Sequence, residues 1–310
     1  MDCSTIIVSY NTFELTREAV HTALRAASGL EHEVIVVDND SPDESADRLR
    51  EVFPVSTYPN VHIIANQENA GFSKANNQGA ALAQGDVLFF LNPDTIVRND
   101  AIRQLVTFLR ARPDIGAAGP RVFNPDGSDQ ASTLPFQTAG WLLHHYLPIG
   151  DLLRGADQRT DTIPLDSQPV DIVVGCALAL RRDAFDKVRG WDESYFMYAE
   201  ETELCWSLQE AGYTNYFLRE AEIVHYGGAS SRDRYAEQQL MACQSAARFL
   251  RRHNSRWMVT LNRVAGFLGF AGRAVAFEAL ARLRPEQAEE YRPRREAASK
   301  LWRWFLTDYS

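Results

Sequence analysis

Residues 87–95 read VLFFLNPDT, five consecutive apolar side chains that run directly into a polar tip. Such a run is too short for an isolated helix and too uniformly apolar for a strand with one wet face. It fits a strand buried on both faces, which places Val87, Leu88, Phe89, Phe90 and Leu91 at the centre of a parallel sheet. Pro93 cannot donate to a ladder, so the strand ends at Asn92-Pro93-Asp94. Open α/β sheets hold ligands at the carboxyl ends of their strands, so Asp94 stands where a metal ion or phosphate would be bound. The same tripeptide also serves as an ordinary turn, and the sequence leaves that alternative open.

The chain before this strand repeats the pattern three times. TIIVSY (5–10) is a β-branched run followed by a helical face made of Leu15, Ala19, Ala23 and Leu24. VIVV (34–37) ends in the polar loop DNDSPD, which opens the helix ESADRLREVF. A third apolar run (61–65) leads through QENAGFSKANNQGA to a helix beginning near Ser73. The order β-α-β-α-β-α-β is that of a doubly wound sheet. Asn99 or Asp100 then caps a helix with Ile102, Leu105, Val106 and Leu109 on one face.

The second half is less regular. Residues 123–170 are rich in Pro, Gly, Asp, Ser and Thr and read as an excursion over the active face. DIVVGCALALRR, from Asp171, reads as one strand interrupted by Gly175, where a ligand could approach the backbone. GWDESYFMYAEETELCWSLQEAGY gives a turn, an aromatic patch and a helix ending at Gly212. NYFLREAEIVHYGGASS reads as two short strands ending at His225, and three helices follow from Tyr235. The expected division is a catalytic domain over 1–230 and a helical extension over 231–310, membrane-associating or dimerising.

A chain of 310 residues that is 45% hydrophobic can bury a full core, so disorder is excluded. Four cysteines, Cys3, Cys176, Cys205 and Cys243, have no paired spacing and fit a reducing cytosol better than a disulfide framework. The start MDCSTIIVSY shows no positively charged segment or cleavage site of a secretory signal. No uninterrupted apolar run reaches the length of a membrane span, the nearest being VAGFLGFAG between Arg263 and Arg273, so the chain is not expected to cross a bilayer. The net charge of -9 is uneven: from Arg248 there are 13 Lys+Arg against 6 Asp+Glu, leaving 19 against 35 before it, or +7 against -16. An acidic body argues against nucleic acid as the main partner. A basic tail rich in Trp, Phe and Leu is compatible with an anionic membrane face, or with an ordinary helical pair packed on the body.

Several side chains have the chemistry of a site. Asp38 ends the second strand, where a carboxylate can accept the N3–H of a pyrimidine or bind ribose hydroxyls, or simply close an Asx-turn. The stretch from Gly71 to Gly79, with Lys74, Asn76 and Asn77, could wrap a base or diphosphate at a helix N-terminus. The chain lacks the GxxxxGK[ST] and GxGxxG loops of NTPases and dehydrogenases. Glu201 is followed by Leu204, Cys205 and Leu208 at i+3, i+4 and i+7, so its carboxylate is expected to point inward, where desolvation raises its pKa toward that of a general base. A helix N-terminus opposes that shift. Glu203, with Trp206, Ser207 and Glu210, falls on a more polar face, and Glu200 is expected to point toward Glu203 and Ser207. His225 closes the apolar run EIVH; alone it reads as an ordinary core or loop histidine.

Taken together, VSYN (8–11), VVDNDSPD (36–43), ENAGFSKANNQG (68–79), FLNPD (90–94), GCALALRRDAF with GWDESYFMYAEETELCW, and HYGG resemble the family 2 inverting glycosyltransferases, over about residues 4–230. The NPD form and the FMY-acidic helix are most similar to rhamnosyltransferase-like members. The resemblance implies a GT-A, Rossmann-like α/β fold with a mixed, mainly parallel sheet, helices on both faces and a C-terminal helical extension. It makes Ser9, Tyr10, Asn11, Asp38, Gly71, Lys74, Asn77, Asn92 and Asp94 donor-binding, and Asp192, Glu193 and Glu200 acceptor-binding. Asp94 and His225 become ligands of Mn2+ or Mg2+, and Glu201 the catalytic base. The implied donor is dTDP-rhamnose or a UDP-hexose, and the acceptor a glycan or lipid-linked saccharide. The setting is cytoplasmic or peripheral on the inner membrane face, with homo-oligomers allowed. This chain has Glu200-Glu201 where the family usually has Glu-Asp, and Ser207 where it usually has arginine. A nucleotidyltransferase would need a glycine- and lysine-rich loop that is absent after Tyr10; a non-catalytic nucleotide-sugar binding subunit is the reading that the Glu-for-Asp change keeps open.

Overall fold

A computed structural model describes residues 1–147, 163–227 and 235–309. Strands β1 (Cys3–Ser9), β2 (His32–Asp38), β3 (Val61–Ala65) and β4 (Val87–Leu91) alternate with helices α1 (Phe13–Ala26), α2 (Ser45–Val52) and α3 (Phe72–Leu82). All residues of β1, β2 and β4 are buried, as their apolar runs demand. They pair in parallel, β1 lying between β2 and β4 with Ser9 opposite Asp38 and Ile7 opposite Leu91. This register brings the ends of the three strands to one rim.

Beyond β4 come β5 (Thr95–Val97), α4 (Ala101–Ala111), β6 (Ile115–Phe123), β7 (Asp129–Gln130), β8 (Thr133–Leu134) and α5 (Ala139–Tyr146). Asp100 does precede α4, but its carboxylate binds Arg103 and Gln104 side chains rather than a backbone N–H. Then follow β9 (Gln168–Val170), β10 (Ile172–Val173), β11 (Ala177–Arg181), α6 (Arg182–Lys187), α7 (Glu200–Glu210) and β12 (Thr214–His225). The sheet order is β3-β2-β1-β4-β11-β6-β12-β5, with β11 antiparallel to both its neighbours and β12 parallel to β6. The sheet is therefore mixed, with its unbroken parallel block at the N-terminal side.

Two strand expectations are corrected. DIVVGCALALRR is not one interrupted strand: Ile172–Val173 pairs with β8 in a separate ribbon, and only Ala177–Arg181 enters the main sheet. The chain changes sheets at Val174-Gly175 because both ladders claim the apolar residues on either side. TNYFLREAEIVH, conversely, is a single 12-residue strand with a register shift between Leu218 and Glu222, not two strands.

Helices α8 (Tyr235–His253), α9 (Arg256–Leu283) and α10 (Ala288–Thr307) complete the chain, with a short 3-10 turn at Pro285–Gln287. The chain forms two compact units. One comprises Met1–Pro135, Arg159–Phe196 and Glu200–Ser230; the other Phe136–Gln158, Met197–Ala199 and Ser231–Ser310. The excursion over 123–170 thus gives β7, β8 and β9 to the first unit and α5 to the second, while its residues 148–162 lie outside the described residues. So does the boundary expected at 230/231. In the second unit Leu142, Tyr146, Leu250, Leu301 and Phe305 form a core of their own. No uninterrupted apolar run reaches the length of a membrane span, yet helix α9 as a whole is long and apolar enough to cross one by length and composition. Counting uninterrupted runs does not register it because Asn262, Arg263, Arg273 and Glu278 divide its apolar stretches.

Candidate functional site

The rim at the carboxyl ends of the strands collects most of the side chains singled out by the sequence. Asp94 leaves β4 just before β5, and β5 pairs with β12 so that Thr95 faces His225. The Tyr226 N–H donates to the Asp94 carbonyl at 3.0 Å, closing the corner. The Asp94 carboxylate, 8% exposed as a residue, lies 3.3 Å from Nε2 of His225. The far side of the imidazole is fixed by Gln130, whose Oε1 lies 2.6 Å from His225 Nδ1. Gln130 Nε2 donates to Asn124 Oδ1 and to the His225 carbonyl, so its Oε1 must be the acceptor. A neutral His225 therefore carries its proton on Nδ1 and turns its lone pair toward the carboxylate. Two electron-rich atoms facing each other at this distance suit a shared cation. Among the described residues no group of three or more His, Cys, Asp or Glu surrounds a common point. Asp94 and His225 therefore fit a divalent ion whose other ligands come from elsewhere.

Asp38 is buried at the end of β2, where it accepts the Ser41 N–H at 3.0 Å and the Ser41 hydroxyl at 2.6 Å. The Asx-turn is thus real, and it leaves lone pairs on both oxygens for a ligand. Ser41 Oγ in turn accepts the N–H of Asn11, a residue held at φ 55°, and so ties the VSYN tip to Asp38. Tyr10 beside it is 39% exposed, whereas the Ser9 hydroxyl is buried against Thr12 and Thr16. Ser9 can thus reach a ligand through its backbone only.

Asn39 is the residue that organises the loop after β3. Its amide donates to Asn69 and to the Gly71 carbonyl, and its oxygen accepts from Asn66 and the Ala70 N–H. Gly71 takes φ 82°, and a Cβ there would come within 2.7 Å of the Phe196 ring, so only glycine fits. Lys74 is exposed and 3.8 Å from Glu68. Asn77 faces away from the loop: its amide group bonds both N–H and C=O of Trp191 and the carboxylate of Glu193. Asp192 Oδ1 accepts the Ser194 N–H, and the exposed Glu193 stands next to it.

Helix α7 carries three carboxylates, Glu200, Glu201 and Glu203. Glu203 does not lie on a solvated face as the periodicity implies; it is 3% exposed and accepts a hydrogen bond from Tyr195 OH at 3.0 Å. Glu200 is also buried, and its Oε2 has no partner. A helical wheel does not register this burial. Burial raises the Glu200 carboxyl well above the usual range, and the Glu201 charge adds to the shift. Burial raises Glu201 as well, although part of that residue stays open. Glu200 thus retains its proton longer and Glu201 is the one that ionises first. Gly175 lies flat on Glu201: a Cβ there would be 3.7 Å from the carboxyl carbon. The neighbouring Cys176 thiol is pushed up to about 12, chiefly by burial and further by the charges of Asp94 and Glu201.

Because the Glu200 value is raised on folding, its stabilising contribution is intact below the ordinary glutamate pKa and is lost as pH rises toward the folded value. Glu200→Gln should accordingly raise the melting temperature at about pH 8 and leave it unchanged near pH 4. A melting curve unaffected at both pH values would contradict that burial argument.

The residues that sequence reasoning missed are Ser41, Asn39, Gln130 and Tyr195. DNDS flags Ser41 and Asn39 as loop formers, but Gln130 and Tyr195 act through long-range pairing that no local pattern signals.

Comparison with known proteins gives the arrangement a context. The profile of the family described as Glycosyl transferase family 2 matches residues 4–189. An N-acetylglucosaminyl-diphospho-decaprenol L-rhamnosyltransferase of Mycobacterium tuberculosis is 29% identical over 214 residues, covering 64% of this chain and 67% of the relative. The rhamnosyltransferase WbbL of Escherichia coli is 26% identical over 203 residues, 59% of this chain and 70% of the relative. Among solved structures, a mannosyltransferase of Pyrobaculum calidifontis in complex with GDP-Man and Mn2+ superposes with a TM-score of 0.60 at 17% identity, covering 99% of this chain and 88% of that one. At that identity the superposition speaks for the GT-A fold alone.

Proposed function

The chain belongs to glycosyl transferase family 2, and from that premise we propose that it transfers rhamnose from dTDP-rhamnose, with inversion, to a hydroxyl of a cell-envelope glycan or lipid-linked saccharide. The observation that carries this reading is the Asp94–His225 pair at 3.3 Å on the same rim as the ionisable Glu201. The choice of rhamnose is supported by two relatives named as rhamnosyltransferases. The setting of this reading is the cytoplasm or the inner face of the cell membrane.

Each part of the rim then has a task. Asp38 accepts the N3–H of the pyrimidine and the VSYN tip lies alongside. Asp94 and His225 would hold a divalent ion, Mn2+ or Mg2+, which supplies counter-charge for the departing diphosphate. Glu201 takes the proton of the acceptor hydroxyl as its oxygen attacks the anomeric carbon opposite the leaving group. Asp192, Glu193 and Glu200 border the acceptor. One displacement inverts the centre.

The test is a donor panel, dTDP-rhamnose against UDP-hexoses, with Mn2+ and envelope extract, scored by nucleotide diphosphate release. Release from dTDP-rhamnose alone is expected; release only from a UDP-hexose would reassign the donor. Asp38→Ala should weaken nucleotide diphosphate binding by about 1–3 kcal/mol, the scale of a lost charged hydrogen bond. Unchanged affinity by calorimetry would move base recognition elsewhere.

A further inference from the structure

The two faces of α9 (Arg256–Leu283) differ sharply. The inner face is locked into its unit: a Cβ on Gly266 would fall 2.4 Å from the Phe305 ring, and one on Gly269 would fall 2.2 Å from the Tyr146 carbonyl oxygen. Both α10 and α5 thus press on its backbone. Buried Asn262 donates to Tyr309 OH at 2.7 Å, and Arg263 donates to the carbonyls of Phe305 and Leu306. This face cannot be turned outward without dismantling the core.

The outer face is bare. Trp257, Val264, Leu268 and Val275 are 60%, 49%, 52% and 72% exposed. Their spacings of seven, four and seven residues put them on one line along the helix, about 27 Å long. From Val264 to Ala279 the exposed positions are Val264, Leu268, Gly272, Val275, Ala276 and Ala279, none of them charged. Only 17% of the most apolar 18-residue window is buried. Exposed arginines, Arg256 at one end and Arg282 and Arg284 at the other, bracket the stripe.

Charge decides between the surfaces that could cover such a stripe. The segment from Arg248 has 13 Lys+Arg and 6 Asp+Glu, a net +7, so a second copy would bring two like-charged segments together. A surface that is apolar below and anionic above complements both the stripe and its arginines. We propose that the outer face of α9 is a membrane-contact surface lying in the plane of an anionic lipid leaflet. The stripe enters the acyl boundary, Trp257 sits at the interface and the arginines meet headgroup phosphates. The helix does not span, although it is long enough. Its inner face is fixed to α10, whose exposed Arg292, Arg294, Arg295, Lys300 and Arg303 a hydrocarbon core would not accept.

The experiment is co-sedimentation of the full chain with vesicles of phosphatidylglycerol and phosphatidylcholine, against phosphatidylcholine alone. The wild-type chain should pellet with the anionic vesicles at low salt and be released as salt rises. The double variant Leu268→Asp, Val275→Asp should lose at least about tenfold in partition, since it removes two apolar contacts and adds two negative charges. Both positions are solvent-exposed, so the variant should melt like the wild type, which thermal unfolding checks. Undiminished vesicle binding by a folded double variant would show that another face makes the contact. Should the wild type ignore vesicles, whether as a monomer or as a dimer that the variant dissociates in sedimentation velocity, the lipid assignment is overturned. No nucleotide sugar enters this assay, so its failure and the failure of the transfer reading are separate results.

Discussion

Replacing Glu201 with glutamine should lower turnover by about 10²–10⁴ while leaving nucleotide-sugar affinity nearly unchanged, because only the proton acceptor is lost. Steady-state rates beside donor titration by calorimetry check it. The argument for this carboxylate is electrostatic as well as positional. Both carboxyls are raised by burial, Glu200 further by the charge of Glu201, and of the two Glu201 is the less buried and lies against Gly175 and Cys176. Glu200→Gln should lower turnover less than Glu201→Gln does. Full turnover in Glu201→Gln together with a dead Glu200→Gln would exchange their roles. Glu201→Asp withdraws the carboxylate by about 1 Å, which costs about 10²-fold where the pocket is spaced for glutamate. Activity retained or raised in Glu201→Asp would mean that the acceptor approaches closely enough for the shorter side chain usual in the family.

The second large effect concerns the cation. A chelator should abolish transfer by the wild type, and Mn2+ should restore it; neither Asp94→Ala nor His225→Ala should recover on adding Mn2+. Each leaves a single protein ligand where two now face each other at 3.3 Å. Gln130→Ala tests the support behind the imidazole. It removes the 2.6 Å contact that fixes the His225 tautomer and should raise the Mn2+ concentration needed for half-maximal activity by about 10- to 100-fold. Full activity of Asp94→Ala in the presence of chelator would remove the metal from the account.

How far the sequence carried depends on the range of the interaction concerned. The run Val87–Leu91 could be read as a central strand because burial on both faces leaves a purely local signature. The rim followed from it, since parallel strands must end together. The antiparallel insertion of β11 between β4 and β6 had no such signature; ALALR suits either direction, and its partners are far away in sequence. Helix α7 shows the limit of periodicity. Tyr195 bonds Glu203, and Glu200 is buried too, so the helix is buried on faces that a wheel assigns to solvent. In α9 the reverse holds: apolar residues that imply a partner on every side are left bare along one of them.

The most direct measurement is the anomeric configuration of the product, read by NMR coupling constants after transfer from dTDP-rhamnose to an acceptor recovered from the donor panel. A single displacement with Glu201 as base predicts inversion relative to the donor. Retention of configuration would require an enzyme nucleophile or a front-side path, and would contradict the single displacement with Glu201 as its base.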